Sequence, residues 1–418
     1  MNHEIIKKVV FDQHEVIKNF EIIEREVRFE DKLNYVLVGL RRAGKSTMLY
    51  QVVRDLIAKG AEWNQIIYIN FEDERLSEFT LDDFNDILLV KNMLTDKKAY
   101  FFFDEIQNIS GWEKFARRLS DEKAYVRITG SNARMLSHEI SSTLGGRYMT
   151  EHICTYTFDE YLKAKGFELT DDVWNKTARR GQVIKLFDEY FTYGGYPEAV
   201  DLKDKRGYVS NVYQKVILGD VAARNEIRHE MALRLLVKKI AESVRSEISF
   251  TRLHNTLKSI GVTISKDTVI EYVNHIKNSY LIFDIRNYYA AFAGKESNPK
   301  YYFGDNGLLN LFITDGTAAL LENIAAIHLH KLYGDKLYYI KSSKTGIDVD
   351  FYIPEEKLAI QVAYSMEGDA REREISNLRK LARENPGTRM IILTHSEEEV
   401  IETDETEITV VSCAGYIM

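Results

Sequence analysis

Four residues near the start of the chain have the types and spacing needed to bind a phosphate group. Gly39, Gly44, Lys45 and Ser46 form the pattern Gly-x-x-x-x-Gly-Lys-Ser within GLRRAGKST (39–47). The glycines allow a tight turn and a close approach of the backbone, and the N–H groups at a helix N-terminus attract an anion. In this pattern the lysine reaches the β- and γ-phosphates of a nucleotide, and the serine hydroxyl ligates Mg²⁺.

The segments on either side of this loop have the context that the motif requires. The apolar run YVLV (35–38) predicts a buried strand, and MLYQVVRDLIAKG after the loop has helical spacing. We therefore predict nucleotide binding by the whole loop, namely by Gly39, Arg41, Arg42, Ala43, Gly44, Lys45, Ser46 and Thr47. For Arg41 and Arg42, contact with phosphate, contact with a neighbouring subunit and exposure to solvent are equally open.

Two adjacent carboxylates end a second apolar run. AYFFF (99–103) predicts a buried strand, and Asp104 and Glu105 follow it. Asp104 is expected to hold Mg²⁺ through water, and Glu105 is expected to orient or deprotonate the attacking water. A solvated acid pair at a strand end is the alternative. Because QIIYINFED (65–73) supplies an intervening strand, hydrolysis is favoured over binding alone.

Two further segments carry candidate catalytic side chains. AYVRITGSN (124–132) predicts a strand ending in polar residues, which in a parallel sheet would lie level with the γ-phosphate. Thr129, Ser131 or Asn132 could sense that phosphate. We predict that Ser131 is a catalytic residue, although the sequence does not decide among the three. In STLGGRY, Arg147 could stabilise charge in the transition state, in its own chain or across a subunit boundary. An ordinary surface arginine is equally consistent with the chemistry.

Length and composition limit the class of protein that must position these residues. The 418 residues argue for two to four domains at roughly 100–200 residues each. A hydrophobic share of 45% excludes a disordered or fibrous chain. Only two cysteines are present, Cys154 and Cys413, which excludes a disulfide framework and a cysteine-based zinc module. With no apolar run of membrane-spanning length, we expect a cytoplasmic protein that does not enter a membrane.

The net charge of −8 hides an uneven distribution along the chain. Residues 205–300 contain 16 basic and 9 acidic residues, a net charge of +7, whereas residues 1–204 carry −6 and residues 301–418 carry −9. A basic middle segment indicates, weakly, a surface for nucleic acid or another acidic partner. A solvated charged face is the alternative.

Six segments occur in an order that resembles a family of bacterial and archaeal AAA-type ATPases. They are GLRRAGKST, FFFDEIQNISGWEKFARRL, RITGSNARML, LGGRY, TYTFDEYL and YFTYGGYPEAV. The resemblance implies that Lys45 and Ser46 bind ATP and Mg²⁺. It further implies that Asp104 and Glu105 form the Walker-B pair and that Arg147 acts at the γ-phosphate or between subunits. Members of the family carry a helical lid, a winged-helix segment and a C-terminal domain of restriction-endonuclease-like fold.

The basic middle segment fits the winged helix of this family. Three helical patterns, the last over Ser265–Ser279, precede the β-rich runs YLIFDIRNYY and KYYFGDNGLL. The last helix would be the recognition helix and presents Lys266, His275 and Lys277. Neighbouring segments add Arg224, Arg228, Arg234, Lys238, Lys239, Arg245 and Arg252. DNA contact and a plain packing role are both open.

The C-terminal segment resembles the restriction-endonuclease-like fold but departs from its active-site pattern. Glu322 and Asp350 stand at two acidic positions of that pattern, with Asp348 as a spare carboxylate. The Glu-x-Lys position instead reads Gln361-Val362-Ala363. Glutamine is a poor Mg²⁺ ligand and alanine cannot replace an ammonium group, so we predict that this domain does not cleave DNA by that mechanism.

Together these features predict an α/β protein with a P-loop NTPase parallel sheet, a helical lid, a winged helix and a C-terminal α/β nuclease-like domain. The expected boundaries are 1–150, 151–225, 226–300 and 301–418. The expected activity is a Mg²⁺-dependent ATPase that drives or gates rearrangement of the C-terminal domains. An ATP-gated switch or scaffold for a protein partner, and a DNA-stimulated ATPase, are the alternatives. An ATP-dependent homo-oligomer is compatible with each.

Overall fold

Five parallel strands form the sheet of the first part of the chain. They are β1 (Asn34–Val38), β2 (Ile66–Asn70), β3 (Tyr100–Asp104), β4 (Tyr125–Gly130) and β5 (Tyr148–His152), in the spatial order β2-β3-β4-β1-β5. The computed structural model describes residues 2–27, 29–130, 142–170, 174, 176–314 and 316–418. Within it the chain divides into a first unit, Met1–Cys154, and a second unit, Thr155–Met418.

The first sheet is covered by helices, as expected for parallel strands connected by crossovers. The helices are α1 (His3–Asn19), α2 (Lys45–Ala58), α3 (Phe84–Leu94) and α4 (Trp112–Asp121). All five residues of β1 are buried, and Leu37, Leu49 and Phe102 belong to one apolar core. The parallel sheet predicted from the short apolar runs is confirmed. Strand β5 was not predicted, since its sequence YMTEH is mostly exposed and lacks an apolar run.

The second unit contains most of the helices of the described chain. They are α5 (Phe158–Ala164), α6 (Thr177–Tyr193), α7 (Lys205–Lys215), α8 (Glu230–Ala241), α9 (Phe250–Ser259), α10 (Lys266–Asn278), α11 (Phe292–Ser297), α12 (Asn306–Leu309), α13 (Thr317–Tyr333), α14 (Asp369–Glu384) and α15 (Cys413–Tyr416). A π-helical segment, Val216–Ala223, continues α7. Side-chain caps fix several starts: the Ser265 hydroxyl, for example, accepts from the Thr268 N–H at 3.0 Å at the start of α10.

An eight-stranded mixed sheet forms the core of the second unit, in the order β12-β13-β11-β10-β9-β8-β6-β7. Its strands are β6 (Ile282–Asn287), β7 (Lys300–Phe303), β8 (Tyr338–Ser342), β9 (Ile347–Ile353), β10 (Leu358–Val362), β11 (Arg389–Thr394), β12 (Glu399–Glu402) and β13 (Glu407–Ser412). The α/β character predicted for the C-terminal part is confirmed.

The middle segment has three helices followed by the strands β6 and β7, as predicted, but the short helix α11 lies between the two strands. Strands β6 and β7 pair antiparallel, and β6 also pairs in parallel with β8. The two strands therefore belong to the same sheet as the C-terminal strands. The winged-helix assignment and the four domain boundaries stay predictions. Across the ranges that the structure describes, no helix has both the length and the hydropathy needed to cross a membrane.

Candidate functional site

The loop between β1 and α2 adopts a conformation that its glycines permit. Gly39 has φ +143°, and a Cβ there would lie 2.1 Å from the carbonyl oxygen of Ile153. Gly44 has φ +96° and is the N-cap of α2. A side chain at Gly39 would therefore displace backbone at the end of β5, which explains the need for glycine. The N-terminus of α2 is thereby presented directly behind the loop.

Lys45 is almost fully buried inside this loop, at 4% exposure. Its Nζ donates to the carbonyl oxygens of Gly39 and Leu40, both at 3.1 Å. The ammonium group thus lies within the ring of loop backbone that the sequence predicts to surround phosphate. Ala43 is buried, and Ser46 and Thr47 are half-buried on the first turn of α2.

Ser46 and Asp104 are brought into contact at the carboxyl edge of the sheet. The Ser46 side chain lies close enough to the Asp104 carboxylate to interact with it, and that carboxylate is 1% exposed at the end of β3. Burial raises the pKa of Asp104, and the charge of Glu105 raises that pKa further. A hydroxyl and a carboxylate are hard oxygen donors of the kind that Mg²⁺ prefers, so this pair fits the cation that the family uses.

Two other side chains fix the Asp104 carboxylate. The Tyr68 hydroxyl donates to its Oδ2 atom at 3.0 Å, and the Thr129 hydroxyl donates to its Oδ1 atom. Thr129 also accepts a hydrogen bond from the Glu105 N–H at 3.0 Å. It therefore joins the ends of β3 and β4. The other two sensor candidates, Ser131 and Asn132, lie outside the described residues.

Glu105 follows β3 in the left-handed conformation, with φ +51°. Its carboxylate is half-buried and accepts a hydrogen bond from the Gln107 side chain. Glu105 therefore lies at the same sheet edge as the loop and Asp104. Both loop arginines lie nearby. Arg41 Nη2 is 3.3 Å from Glu72 Oε1, and Arg42 is exposed, with φ +64°.

Arg25 is a functional candidate that the sequence did not reveal. It is buried, and its guanidinium donates to the carbonyl oxygens of Ala43 at 3.1 Å and Cys154 at 2.9 Å. It therefore holds the last part of the loop against the residues that follow β5. Nothing in EIIEREVRFED separates this arginine from its charged neighbours, because the segment has no periodic pattern and no motif.

Arg147 lies at the opposite edge of the first sheet from the loop. In the β1–β5 register Tyr148 is level with Asn34, and His152 is level with Val38, where the loop begins. The four residue steps from Tyr148 to His152 cover about 13 Å at ~3.3 Å per residue. Arg147 Nε instead lies 2.6 Å from Asp121 Oδ1. This register does not bring Arg147 to the loop of its own chain, and action across a subunit boundary stays a prediction.

The acidic positions of the C-terminal domain surround a lysine that the sequence analysis missed. Lys300 Nζ on β7 lies 3.0 Å from Asp350 Oδ1 and 3.3 Å from Glu322 Oε1. Burial alone would lower the pKa of Lys300, but the charges of Glu322 and then Asp350 raise it above its ordinary value. An ammonium group from a different strand, 50 residues before Asp350, thus lies between the two carboxylates.

The residues at the Glu-x-Lys position, Gln361 and Ala363, make contacts in the interior of the second unit. Gln361 Oε1 accepts from the Asp350 N–H at 3.1 Å, and its amide donates to Glu374. Ala363 packs in an apolar core. Asp348 lies apart from this cluster, with its side chain half-exposed and 4.0 Å from Lys341 Nζ.

Much of the positive charge of the middle segment is engaged within the chain. Ion pairs or hydrogen bonds join Arg224 to Asp220, Arg234 to Gln214, Lys239 to Glu242, Arg245 to Glu322 and Lys277 to Asp284. Arg228, Lys238, Arg252 and Lys266 are exposed and form no ion pair within the part of the chain that the structure describes. His275 lies 3.5 Å from Glu271.

Comparison with known proteins gives two family matches. Residues 31–162 match the model of an AAA domain, and residues 184–318 match a domain of unknown function, DUF8612. Solved structures with similarity include a Walker-type ATPase of Pyrococcus abyssi, at 12% identity and TM-score 0.43, covering 73% of this chain and 94% of that chain. Another is Cdc6p from Pyrobaculum aerophilum, at 15% identity and TM-score 0.27, covering 70% and 88%. TM-scores this low do not establish a common overall fold.

Two relatives are similar over almost their whole length. An uncharacterized protein of Methanocaldococcus jannaschii is 29% identical over 419 residues, which covers 96% of this chain and 92% of the relative. An uncharacterized protein of Haemophilus influenzae is 30% identical over 403 residues, covering 94% and 97%. With this extent of similarity and an AAA-domain match that includes the loop and both carboxylates, the chain belongs to the AAA-type P-loop ATPase family.

Proposed function

We propose that the protein binds ATP together with Mg²⁺ and hydrolyses ATP by attack of water on the γ-phosphate. The observation that carries this proposal is the contact between Ser46 and the buried Asp104 carboxylate, with the Lys45 ammonium inside the adjoining loop. A helix N-terminus, an ammonium group and a hydroxyl–carboxylate pair at one sheet edge are the parts that phosphoryl transfer needs.

Each residue of the site has a role that follows from its chemistry. The loop N–H groups and Lys45 would hold the phosphates and offset their charge, while Ser46 and Asp104 would hold Mg²⁺. When bound, Mg²⁺ would supply positive charge that offsets the negative charge of the reacting phosphate. Glu105 would orient the attacking water and accept its proton. Arg41 and Arg42 belong to the loop and would add positive charge near the phosphates.

Ser131 remains the proposed sensor of the γ-phosphate. The Thr129 hydroxyl already donates to Asp104 and accepts from the Glu105 N–H, so its hydrogen-bonding capacity is largely used. We assign Thr129 to positioning of the two carboxylates. The substitution Ser131→Ala should then lower the rate of ATP hydrolysis while leaving the affinity for ADP unchanged.

Two substitutions test the main proposal. Lys45→Ala should abolish binding of a fluorescent ATP analogue, whereas Lys59→Ala, at the exposed far end of α2, should bind as the wild type does. Glu105→Gln should retain ATP binding but release phosphate at least about a hundredfold more slowly, the size of a typical general-base contribution. Equal phosphate release by wild type and Glu105→Gln would refute the catalytic role of Glu105.

The proposed ATPase activity would act on the second unit of the chain, Thr155–Met418. We propose that ATP binding or hydrolysis drives or gates rearrangement of the C-terminal domains, with a protein as the partner. The strong internal pairing of the basic middle segment favours a protein partner over DNA. If the exposed Arg228, Lys238 and Arg252 contact DNA instead, DNA should stimulate hydrolysis, and that stimulation should fall steeply with salt.

We further propose that the C-terminal sheet does not cleave DNA. The Lys300 ammonium lies between the two carboxylates that a catalytic cation would need, and Gln361 is neutral and hydrogen-bonded on both sides. Because Arg245 also pairs with Glu322, the charges of the two carboxylates are already balanced from within the chain.

A further inference from the structure

A buried tyrosine on the strand next to β3 contacts the carboxylate proposed to hold Mg²⁺. Tyr68 lies in the middle of β2, is 0% exposed, and pairs with Phe102 across the β2–β3 register. Its hydroxyl donates to Asp104 Oδ2 at 3.0 Å. Because Thr129 donates to the other carboxylate oxygen, the two donors together fix the orientation of the carboxylate.

A second tyrosine extends this contact to α2, the helix that follows the phosphate-binding loop. The Tyr50 hydroxyl lies close enough to the Tyr68 hydroxyl to interact with it, and the ring centres of the two residues lie 5.4 Å apart. Tyr50 is 8% exposed. It follows Ser46 by four positions and therefore lies on the same face of the helix. One helix thus reaches Asp104 twice, directly through Ser46 and indirectly through Tyr50 and Tyr68.

Packing alone does not account for the hydroxyl of Tyr68. The ring lies in the apolar core of the first unit and stacks on Phe102 at 6.0 Å, where a phenylalanine ring would fill the same space. Placing a hydroxyl in such a core costs free energy unless the group is hydrogen-bonded. Its hydrogen-bond partner, Asp104, ends the Walker-B strand, and the neighbouring Tyr50 lies on the loop helix. The hydroxyl therefore acts on the position of Asp104.

We propose that Tyr68 is a positioning residue for the divalent cation of this ATPase, holding Asp104 in the orientation that receives the hydrated cation while Tyr50 links that orientation to α2. This inference rests on the proposed function, since it assigns a support to the same site. Outer hydrogen-bond partners of metal-holding residues commonly change metal affinity by about 10- to 100-fold when removed.

The test measures Mg²⁺ binding rather than turnover. For wild type and Tyr68→Phe, the affinity for a fluorescent ATP analogue is measured in EDTA and then across a Mg²⁺ titration. We expect the affinity in EDTA to be unchanged and the Mg²⁺ concentration at half-saturation to rise about tenfold. Tyr50→Phe should give a smaller rise. Tyr125→Phe, at a buried tyrosine of β4, is the matched control and should give none.

The outcomes separate this inference from the proposed function. Wild-type protein that shows no Mg²⁺-dependent nucleotide binding would refute both. Wild-type Mg²⁺ dependence with an unchanged half-saturation in Tyr68→Phe would refute only the inference, as would an equal loss of affinity with and without Mg²⁺. If Tyr68→Phe does not fold, Tyr50→Phe decides, and a wild-type Mg²⁺ response in that variant would overturn the assignment.

Discussion

The ammonium group of Lys300 lies 3.0 Å from the carboxylate of Asp350, and both residues are buried. Glu322 completes the cluster, at 1% exposure, and accepts a further hydrogen bond from the Tyr302 hydroxyl at 2.8 Å. Burial, followed by the charge of Asp350, raises the pKa of Glu322. Two carboxylates in such a site depend on the lysine charge, because an uncompensated buried charge is strongly unfavourable.

Replacing Lys300 by methionine should therefore destabilise the protein strongly. Removing one partner of a buried ion pair typically costs about 3–5 kcal/mol of unfolding free energy, and urea denaturation followed by circular dichroism measures this loss. Lys336→Met is the matched control, since Lys336 pairs with Glu355 at 2.5 Å on the surface and its loss should change little. Equal stability of the two variants would contradict the structural role of Lys300.

The same cluster predicts that the purified protein leaves DNA intact. Supercoiled plasmid incubated with the protein and Mg²⁺ should stay uncut, and Asp350→Ala should behave as the wild type does. The Lys300 ammonium group lies beside Asp350, where a catalytic cation would need that carboxylate. The neutral Gln361 stands where an active enzyme has a further carboxylate for the cation. Mg²⁺-dependent cutting that is lost in Asp350→Ala would show that the site is catalytic.

The features predicted from sequence are those encoded by local pattern. The strands β1 to β4 follow from short apolar runs, since strands of a helix-covered parallel sheet are buried on both faces. The loop follows from glycine and lysine spacing, because its chemistry restricts residue type at each position. These patterns lie within a few residues of each other along the chain and so can be recognised without tertiary contacts.

The features that sequence reasoning missed depend on contacts between distant residues. Lys300 reaches Asp350 from another strand of the sheet, and Arg25 reaches Cys154 across 129 residues. Tyr68 resembles any core aromatic residue until its hydroxyl is seen against Asp104. Strand β5 is held by pairing with β1 and not by its own apolar content. Only the assembled fold reveals such partners.

A buried carboxylate in the second unit should make stability depend on pH. Asp305 accepts from Thr155 Oγ1 at 2.9 Å and from the N–H groups of Gly195 and Gly307, each at 2.8 Å. Burial raises the pKa of Asp305 to about 6, so between pH 4 and 6 the folded chain keeps a proton that the unfolded chain has lost. This contribution to stability is present below pH ~4 and lost as pH rises through about 6.

Asp305→Asn removes that titration and isolates its effect. The unfolding free energy of the wild type, relative to the variant, should fall by about 2 kcal/mol between pH 4 and pH 7. Thermal or urea unfolding across this range measures the difference. Asp335→Asn, at an exposed position, should leave the pH dependence unchanged. A constant difference between wild type and Asp305→Asn across the range would contradict the assignment.

Arg25 should matter for nucleotide binding although it lies outside every motif. Arg25→Lys keeps the charge but cannot hold the carbonyl groups of Ala43 and Cys154 together. Because a hydrogen bond from a charged group contributes about 1.5 kcal/mol or more, we expect about tenfold weaker binding of a fluorescent ATP analogue. Arg54→Lys is the control, since Arg54 also binds a carbonyl oxygen, that of Ile17 at 2.7 Å, but away from the loop. Equal affinities in the two variants would refute a role for Arg25 in shaping the loop.

Arg147 provides a test of action between subunits. Because it lies at the sheet edge opposite the loop of its own chain, we expect it to assist hydrolysis only in a neighbouring copy. Arg147→Ala and Glu105→Gln should each hydrolyse ATP poorly on their own. In a mixture, an interface between an intact Glu105 and an intact Arg147 can form, so the rate should rise above that of either variant alone, and this rise should depend on protein concentration.

The control is Arg117→Ala, because Arg117 is a nearby exposed arginine that lies 3.8 Å from Asp121. This variant should retain wild-type activity without being mixed with another. A mixture no faster than the average of its two components would exclude this role, because no complete site would then have formed across a subunit boundary.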